Sequence, residues 1–307
     1  MFKVKVNYNV DRLKICYKQP QELWDYLSQF NTSEKVLFDS FSLLITDNGK
    51  SEGSEKESVK IKANVIADDG VLLGEFVFNN SAKYEGKCFF EFENKALYTP
   101  LSYYMGEKYN YVCCLDYVAQ VLNLEINNIT LIEISADVNH NPLPRLYKLI
   151  KDYENYDMVY NGKVVKDYSK ILEGVGEFYG RSRTKKNRYP TLYLSQKKDD
   201  APSIKIYDKR AEIEDNSKQY ISEWNNNLNG TMYRIEVSVK NEDIKKFLQL
   251  AEEYKEDYGV LGLFLTHLGS QEYKHLLWQW ISDRIVYFRP KRGSQEVITL
   301  HELATKS

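Results

Sequence analysis

Residues 130–138 read Thr-Leu-Ile-Glu-Ile-Ser-Ala-Asp-Val, and the same kind of pattern returns in Ser-Ile-Lys-Ile-Tyr-Asp-Lys at 203–209 and Met-Tyr-Arg-Ile-Glu-Val-Ser-Val at 232–239. Apolar and polar side chains alternate in each. Successive side chains of a strand point to opposite faces, so each stretch predicts a strand with one packed and one polar side. In the first, Ile132, Ile134, Ala136 and Val138 share the packed side and leave Glu133, Ser135 and Asp137 opposite. The second sets Ile204, Ile206 and Asp208 against Lys205, Tyr207 and Lys209. The third turns Tyr233, Ile235, Val237 and Val239 inward and Arg234, Glu236 and Ser238 outward.

Working outward, TLYLSQ at 191–196 adds a strand to this block. Upstream, Phe2 to Val10 alternates with period two and Leu13, Ile15 and Tyr17 continue it, which predicts an edge or half-buried strand followed by a short helix at 20–30. The polar segment 47–58 reads as a loop, and the strand-like runs from Val59 to about Tyr98 suit an antiparallel meander. Three- and four-residue spacing of Val112, Leu115, Val118, Ala119 and Leu122 predicts a helix over 109–123, and another is expected from Pro144 to about Tyr153. A loop with Gly162, Gly174, Gly176 and Gly180 leads to the second strand block, and the stretch from Glu242 to about Trp280 is mainly helical by pattern. The expected fold class is α+β, an antiparallel sheet with helices packed on one side, divided into 1–241 and a helical C-terminal region 242–307.

The chain has 307 residues, 43% hydrophobic and 28% charged, which is ordinary for a globular protein and unlike a disordered or fibrous one. Its four cysteines form no CxxC pair and no metal-ligand spacing, so a reducing, cytoplasmic setting is expected. The opening Met1-Phe-Lys-Val-Lys-Val lacks the apolar core of a signal peptide, and no long apolar run follows; neither secretion nor membrane insertion is expected. A net charge of −2 counts against a simple DNA-coating protein. Its distribution is uneven, however: between Arg181 and Arg210 ten basic residues face three acidic ones. Such a cluster can neutralise several phosphates and release their counterions, although a solvated loop shows the same composition. The 25 tyrosines could stack on unpaired bases, but an AT-rich genome also enriches tyrosine.

If the three polar strand sides meet in one sheet, the shared face holds Glu133, Asp137 and Glu236 as oxygen ligands, Tyr207 as a nucleophile, and Lys205, Lys209 and Arg234 as phosphate contacts. A phenol titrates near pH ~10, so its attack at neutral pH needs a base, a cation or a metal that favours the phenolate. Hard carboxylate ligands suit Mg²⁺ or Mn²⁺, which polarise a phosphate. Alternating charge is also what any half-exposed antiparallel sheet shows. His140 reads either as a ligand or proton carrier or as surface polar structure before a proline. His267, His275 and His301 are scattered, with no His-x-His pair, so an imidazole-based metal site is not expected. The absence of a P-loop, of GxSxG and of HExxH argues against nucleotide hydrolysis, a serine hydrolase elbow and zinc proteolysis.

At these residues the chain resembles the replication initiation factor family, trans-acting rolling-circle initiators of small plasmids with relatives in phages. Leu131-Ile-Glu-Ile-Ser-Ala-Asp137 matches its R-I-D-I-A-x-D strand, and Arg234-Ile-Glu236 matches its R-x-E strand. Thr191-Leu-Tyr-Leu-Ser-Gln-Lys197 with Lys205-Ile-Tyr-Asp-Lys209 matches its T-I-Y-x-G-S-R and R-I-Y-x-K segments. The likeness covers about 125–245. Leu131 stands where the family often has arginine, Glu133 replaces an aspartate, and Ser195-Gln-Lys197 replaces Gly-Ser-Arg.

The resemblance implies a nickase-like catalytic core in 1–241. In it Tyr207 becomes joined to a 5′ phosphate and leaves a 3′ hydroxyl, with Tyr193 as the other tyrosine to weigh. It implies Mg²⁺ or Mn²⁺ on Glu133, Asp137 and Glu236, with Glu212 a further ligand candidate. Lys205, Lys209, Arg234, Lys197, Arg181 and Arg183 would contact DNA, and Arg284, Arg289, Lys291 and Arg292 could touch backbone phosphates. The implied partners are origin DNA, single-stranded or in a hairpin, a host helicase and a second copy of the chain in a homodimer. Two other readings stay open: a non-catalytic DNA-binding protein of the same fold, and a structural or partner-binding phage protein.

Overall fold

The structure, a computed structural model, describes residues 4–49, 60–104, 107–165, 191–194, 202–226, 228, 230–245, 268–292 and 296–306. The basic positions Arg181, Arg183 and Lys197, the loop segment 50–58 and His267 lie outside them. In chain order, β1 (Val6–Lys18) and α1 (Gln21–Leu27) lead into the meander β2 (Lys35–Leu37), β3 (Phe41–Asp47), β4 (Lys60–Ala67), β5 (Leu72–Asn79) and β6 (Lys87–Phe92). Next come α2 (Asn94–Leu97), the hairpin β7 (Pro100–Tyr104) and β8 (Glu107–Asn110), α3 (Leu115–Val121) and β9 (Glu125–Val138). Then follow α4 (Leu143–Lys151), β10 (Tyr156–Tyr160), β11 (Lys163–Val164), β12 (Thr191–Leu194) and β13 (Ser203–Asp208). The remainder comprises α5 (Lys209–Asn216), α6 (Gln219–Trp224), β14 (Tyr233–Lys240), α7 (Gln271–Ile285), β15 (Val286–Pro290), β16 (Ile298–Thr299) and α8 (Leu300–Thr305). The architecture is α+β with a large antiparallel sheet.

The chain divides into two compact units. One comprises Asp11–Ile132 and Leu263–Ser270. Its strands run in the order β9-β1-β6-β5-β4-β3-β2; β4 to β6 form the antiparallel meander expected from Val59 onward, and β3, where no strand was expected from the sequence, pairs with β4 and extends it. Ile61, Ala63 and Val65 of β4 and Phe76 and Phe78 of β5 are completely buried, and all but Ala63 each contribute the ~1.5–3 kcal/mol that large apolar side chains gain. Gly74 is required where β5 crosses β6, because a Cβ there would lie 2.2 Å from the carbonyl oxygen of Glu91. The helix expected over 109–123 is shorter. Residues 107–110 pair as β8, and the Asn110 side chain accepts a hydrogen bond from the Val112 backbone N–H at 3.1 Å. A 3₁₀ turn follows at Tyr111–Cys114, so the α-helix starts only at Leu115.

The other unit comprises Met1–Val10, Glu133–Gly262 and Gln271–Ser307. Its strand order β12-β13-β14-β9-β1 makes neighbours of the three alternating stretches. The register places Tyr193 opposite Lys205, Thr191 opposite Tyr207, Lys205 opposite Glu236 and Tyr207 opposite Arg234. The apolar sides are fully buried at Ile134, Ala136, Ile204, Ile206, Ile235 and Val237. A second sheet, β11-β10-β15-β16, places two strands within a C-terminal region read as mainly helical. The neighbouring residues Tyr8 and Asn9 of β1 point to opposite sides. Tyr8 stacks on His275 of α7 with ring centroids 4.5 Å apart, and the Asn9 carboxamide oxygen accepts from the Trp224 indole of α6 at 2.9 Å.

The polar side of β14 is therefore not outward as alternation led us to expect: Arg234 is 0% exposed, Glu236 3% and Ser238 8%. Arg234 donates from Nε to Asp137 Oδ1 at 2.6 Å and from Nη2 to Asp137 Oδ2 at 2.7 Å, and Asp137 is itself fully buried. The amides of Asn9 and Asn225 donate to the same Oδ2 at 2.8 and 3.0 Å. Two charges out of water hold together only when their remaining hydrogen-bonding capacity is met, and the asparagines meet it here. Replacing Arg234 with Met is expected to strand a buried carboxylate and lower unfolding stability by about 3–5 kcal/mol, read from denaturant midpoints. An unchanged midpoint would overturn this structural role.

Candidate active site

Tyr207 ends β13, and the next residue switches the chain from strand to helix. Asp208 N-caps α5 by accepting from the Ala211 backbone N–H at 3.0 Å. The backbone N–H groups of Lys209 and Arg210 donate to the Met232 carbonyl at 2.9 and 3.1 Å. This turn draws the Lys209 side chain back over the tyrosine, with Nζ 5.5 Å from the ring centroid and 3.4 Å from the phenolic oxygen. Lys209, expected as a DNA contact, is 1% exposed and in this structure stands as an interior cation. Glu212, one helical turn on, holds it at 2.7 Å and also pairs with Lys218 at 3.2 Å. Burial works to raise the Glu212 pKa, yet the two lysines hold it below the ordinary carboxylate value. Glu212 thus serves as the counter-charge of Lys209.

On the other side of the phenol lies Glu236. Tyr207 donates its hydroxyl proton to Glu236 Oε2 at 3.2 Å, while Lys205 donates to Oε1 at 2.6 Å. Lys205 also lies 3.7 Å from Glu133 Oε1, so its ammonium sits between two carboxylates. Burial works to lower the Lys205 pKa, but the charges of Glu236 and then Glu133 outweigh it and hold the lysine well above its ordinary value. Tyr207 is 7% exposed and Tyr193, on the adjoining strand, 40%.

Of the residues singled out in the sequence, the structure gathers Lys205, Tyr207, Lys209, Glu133 and Glu236 into one charged cluster. It places Asp137 elsewhere: both carboxylate oxygens are taken by Arg234 and two amides, which leaves them committed to that network. Arg234, expected at the phosphate path, is the partner that commits them. His140 is also apart, its Nε2 lying 3.0 Å from the Leu303 carbonyl. Arg289 and Lys291 both pair with Asp157 at 3.6 Å, and Arg284 stacks on the Trp280 ring at 4.1 Å.

The donor set can accept a hard divalent cation. Oxygens of Glu133 and Glu236 lie within 4.8 Å of one another, and the cationic Lys205 already shows that the space between them favours positive charge. What the sequence did not reveal is the division of labour within Glu236, one oxygen toward the phenol and one toward the cation. That division comes from the pairing of β13 with β14.

No protein-family model matches the chain, and no curated protein matches it. One solved structure, of the rolling circle replication initiator protein from Geobacillus stearothermophilus, is similar over 95% of this chain and 90% of that one, with a TM-score of 0.42 and 13% identity. Among the described residues no helix is long and apolar enough to cross a membrane.

Because the folded pKa of Lys205 is raised, its stabilising contribution is complete below about pH 10.4, the ordinary lysine value, and is lost as pH rises toward the folded value. The difference in unfolding free energy between wild type and Lys205→Met should stay level up to that pH and narrow above it. Urea unfolding from neutral to strongly alkaline pH checks this, and a gap that ignores pH would remove Lys205 from the carboxylate pair.

Proposed function

We propose that the protein is a rolling-circle replication initiator that nicks one strand of an origin through Tyr207. The observation that carries this reading is the phenol itself, held between a carboxylate oxygen at 3.2 Å and an ammonium at 3.4 Å. A tyrosine so placed has a base for its proton and a cation for its phenolate. The likeness of the three strand segments to the initiator family supports the same reading.

In this mechanism Glu236 Oε2 accepts the phenolic proton, and Lys209 stabilises the developing phenolate. The oxygen of Tyr207 attacks the scissile phosphorus, a phosphorus–oxygen bond to the tyrosine forms, and the bond to the 3′ oxygen breaks. The products are a 5′-phosphotyrosine link and, once the leaving oxygen takes up a proton from water, a 3′ hydroxyl that a polymerase can extend. A divalent ion on Glu133 and Glu236 would supply polarisation of the phosphate. Lys205, half-exposed beside the same carboxylates, would meet the phosphate once drawn from them. Substrate access requires Tyr207 to become more exposed than it is, which fits a partner that is single-stranded and can enter the face. Closure requires a second nucleophile, or a second subunit of a homodimer to supply one.

A second reading, a DNA-binding protein of this fold that does not nick, draws on the same geometry. The Lys205 ammonium satisfies the two carboxylates internally, and Tyr207 is nearly covered.

The two readings separate on incubation with a supercoiled plasmid carrying the protein's own origin and Mn²⁺ or Mg²⁺. The nickase reading expects relaxed circles whose 5′ end migrates with protein after denaturation, loss of that adduct in Tyr207→Phe, and slowing by about 10²–10⁴-fold in Glu236→Gln. An adduct that survives Tyr207→Phe but not Tyr193→Phe would move the nucleophile to Tyr193. Origin binding with no nick in wild type would favour the second reading.

A further inference from the structure

His275 and His301 are 26 residues apart in sequence, yet their Nε2 atoms lie 3.2 Å from each other. The rings are 5.3 Å apart between centroids and inclined by 22°. They belong to α7 and α8 within one compact unit, so two packed elements present them from separate backbones. Tyr8 stacks on the outer side of His275 at 4.5 Å, and Trp278 borders both Tyr8 and His301 at 5.6 and 6.5 Å. These aromatic walls restrict how far either imidazole can turn.

We propose that His275 and His301 form a binding site for a first-row transition-metal ion of the Zn²⁺ type, separate from the carboxylate cluster around Tyr207. Two imidazole nitrogens on a tetrahedral Zn²⁺, at about 2.0–2.1 Å each, are about 3.3–3.4 Å from one another. The separation here is within that range to about a tenth or two of an ångström. Imidazole suits Zn²⁺, Co²⁺ or Ni²⁺ and is a poor match for Mg²⁺, so this site and an oxygen-only site would sort ions by type.

Two further observations point the same way. Asp283 acts electrostatically on both imidazoles, and its Oδ1 is buried without a hydrogen-bond partner, which leaves an acidic acceptor beside the pair. Both histidines also titrate below the ordinary value, chiefly through burial and, for His275, through the neighbouring ring, so both are neutral and ligand-competent at neutral pH. Ion binding requires the proton shared between the two Nε2 atoms to move to the Nδ1 of its own ring, with no change in net charge. Among the described residues no third His, Cys, Asp or Glu atom lies within 4.8 Å of both nitrogens, so water or a carboxylate that swings in completes the set. The bound ion would pin α8 to α7.

The chain has only four histidines, which makes the test direct. Zn²⁺ is titrated into the full-length protein while the imidazole proton resonances are followed by NMR, with assignments from His140→Gln and His267→Gln. The expected result is that the His275 and His301 signals change together up to one equivalent while those of the other two do not. Resonances that all stay fixed, or that all move alike, would overturn the proposal. Calorimetry with Zn²⁺ should show at least tenfold weaker binding in His275→Gln and in His301→Gln and unchanged binding in His140→Gln, whose imidazole lies against the Leu303 carbonyl. Wild-type affinity in His275→Gln or in His301→Gln, or loss in His140→Gln, would equally overturn it. The NMR arm on wild type stands even if a histidine variant does not fold.

Discussion

The ion pair between Asp137 and Arg234 fixes the pairing of β14 with β9 in the unit that carries Tyr207. Both side chains are fully out of water, and both carboxylate oxygens are claimed. Such a pair tolerates little displacement, because a shifted strand would leave a buried charge without its partner at a cost of several kcal/mol. A one-residue slip of β14 would turn Arg234 to the opposite side of the sheet altogether. The pair therefore locks β14 against β9, and with it the position of Glu236 relative to Glu133.

From that lock the surroundings of Tyr207 follow through one more pairing. β13 lies against β14 with Lys205 opposite Glu236, so a lysine and a tyrosine two residues apart reach different oxygens of one carboxylate. The capped turn after Tyr207 brings in Lys209, whose burial is compensated by Glu212. The order of charges is Glu133, Lys205, Glu236, Tyr207, Lys209, Glu212, alternating in sign with the phenol inside the series. A proton leaving the phenol would thus be accepted in a place where opposite charges already stand on both sides.

This arrangement also separates two roles that share one face in the sequence. Acidic residues of β9 two turns of the pleat apart, Glu133 and Asp137, have unlike surroundings: the first meets a part-exposed lysine, the second a fully buried guanidinium. The difference lies in α6, whose Trp224 and neighbouring Asn225 reach Asn9 and Asp137 and cover that end of the face. What remains accessible is the end with Lys205, whose side chain keeps 32% of its surface exposed.

The sequence by itself determined the strands β9, β13 and β14 and which of their residues share a side, because alternation with period two is a local property of the backbone. It also put Tyr207, Lys205, Glu133 and Glu236 together as a set, since each carries its polar residue at the matching phase. It could not tell a polar side facing solvent from one covered by a helix, because Trp224 and Asn225 lie some distance along the chain and no spacing announces their contact with Asn9. For the same reason His275 and His301 read as scattered, although packing of α7 and α8 sets their nitrogens side by side. Tertiary structure decided whether each charged group is solvated, paired or buried. That depends on which distant segment occupies the space above it, and on the need of every buried charge for a partner.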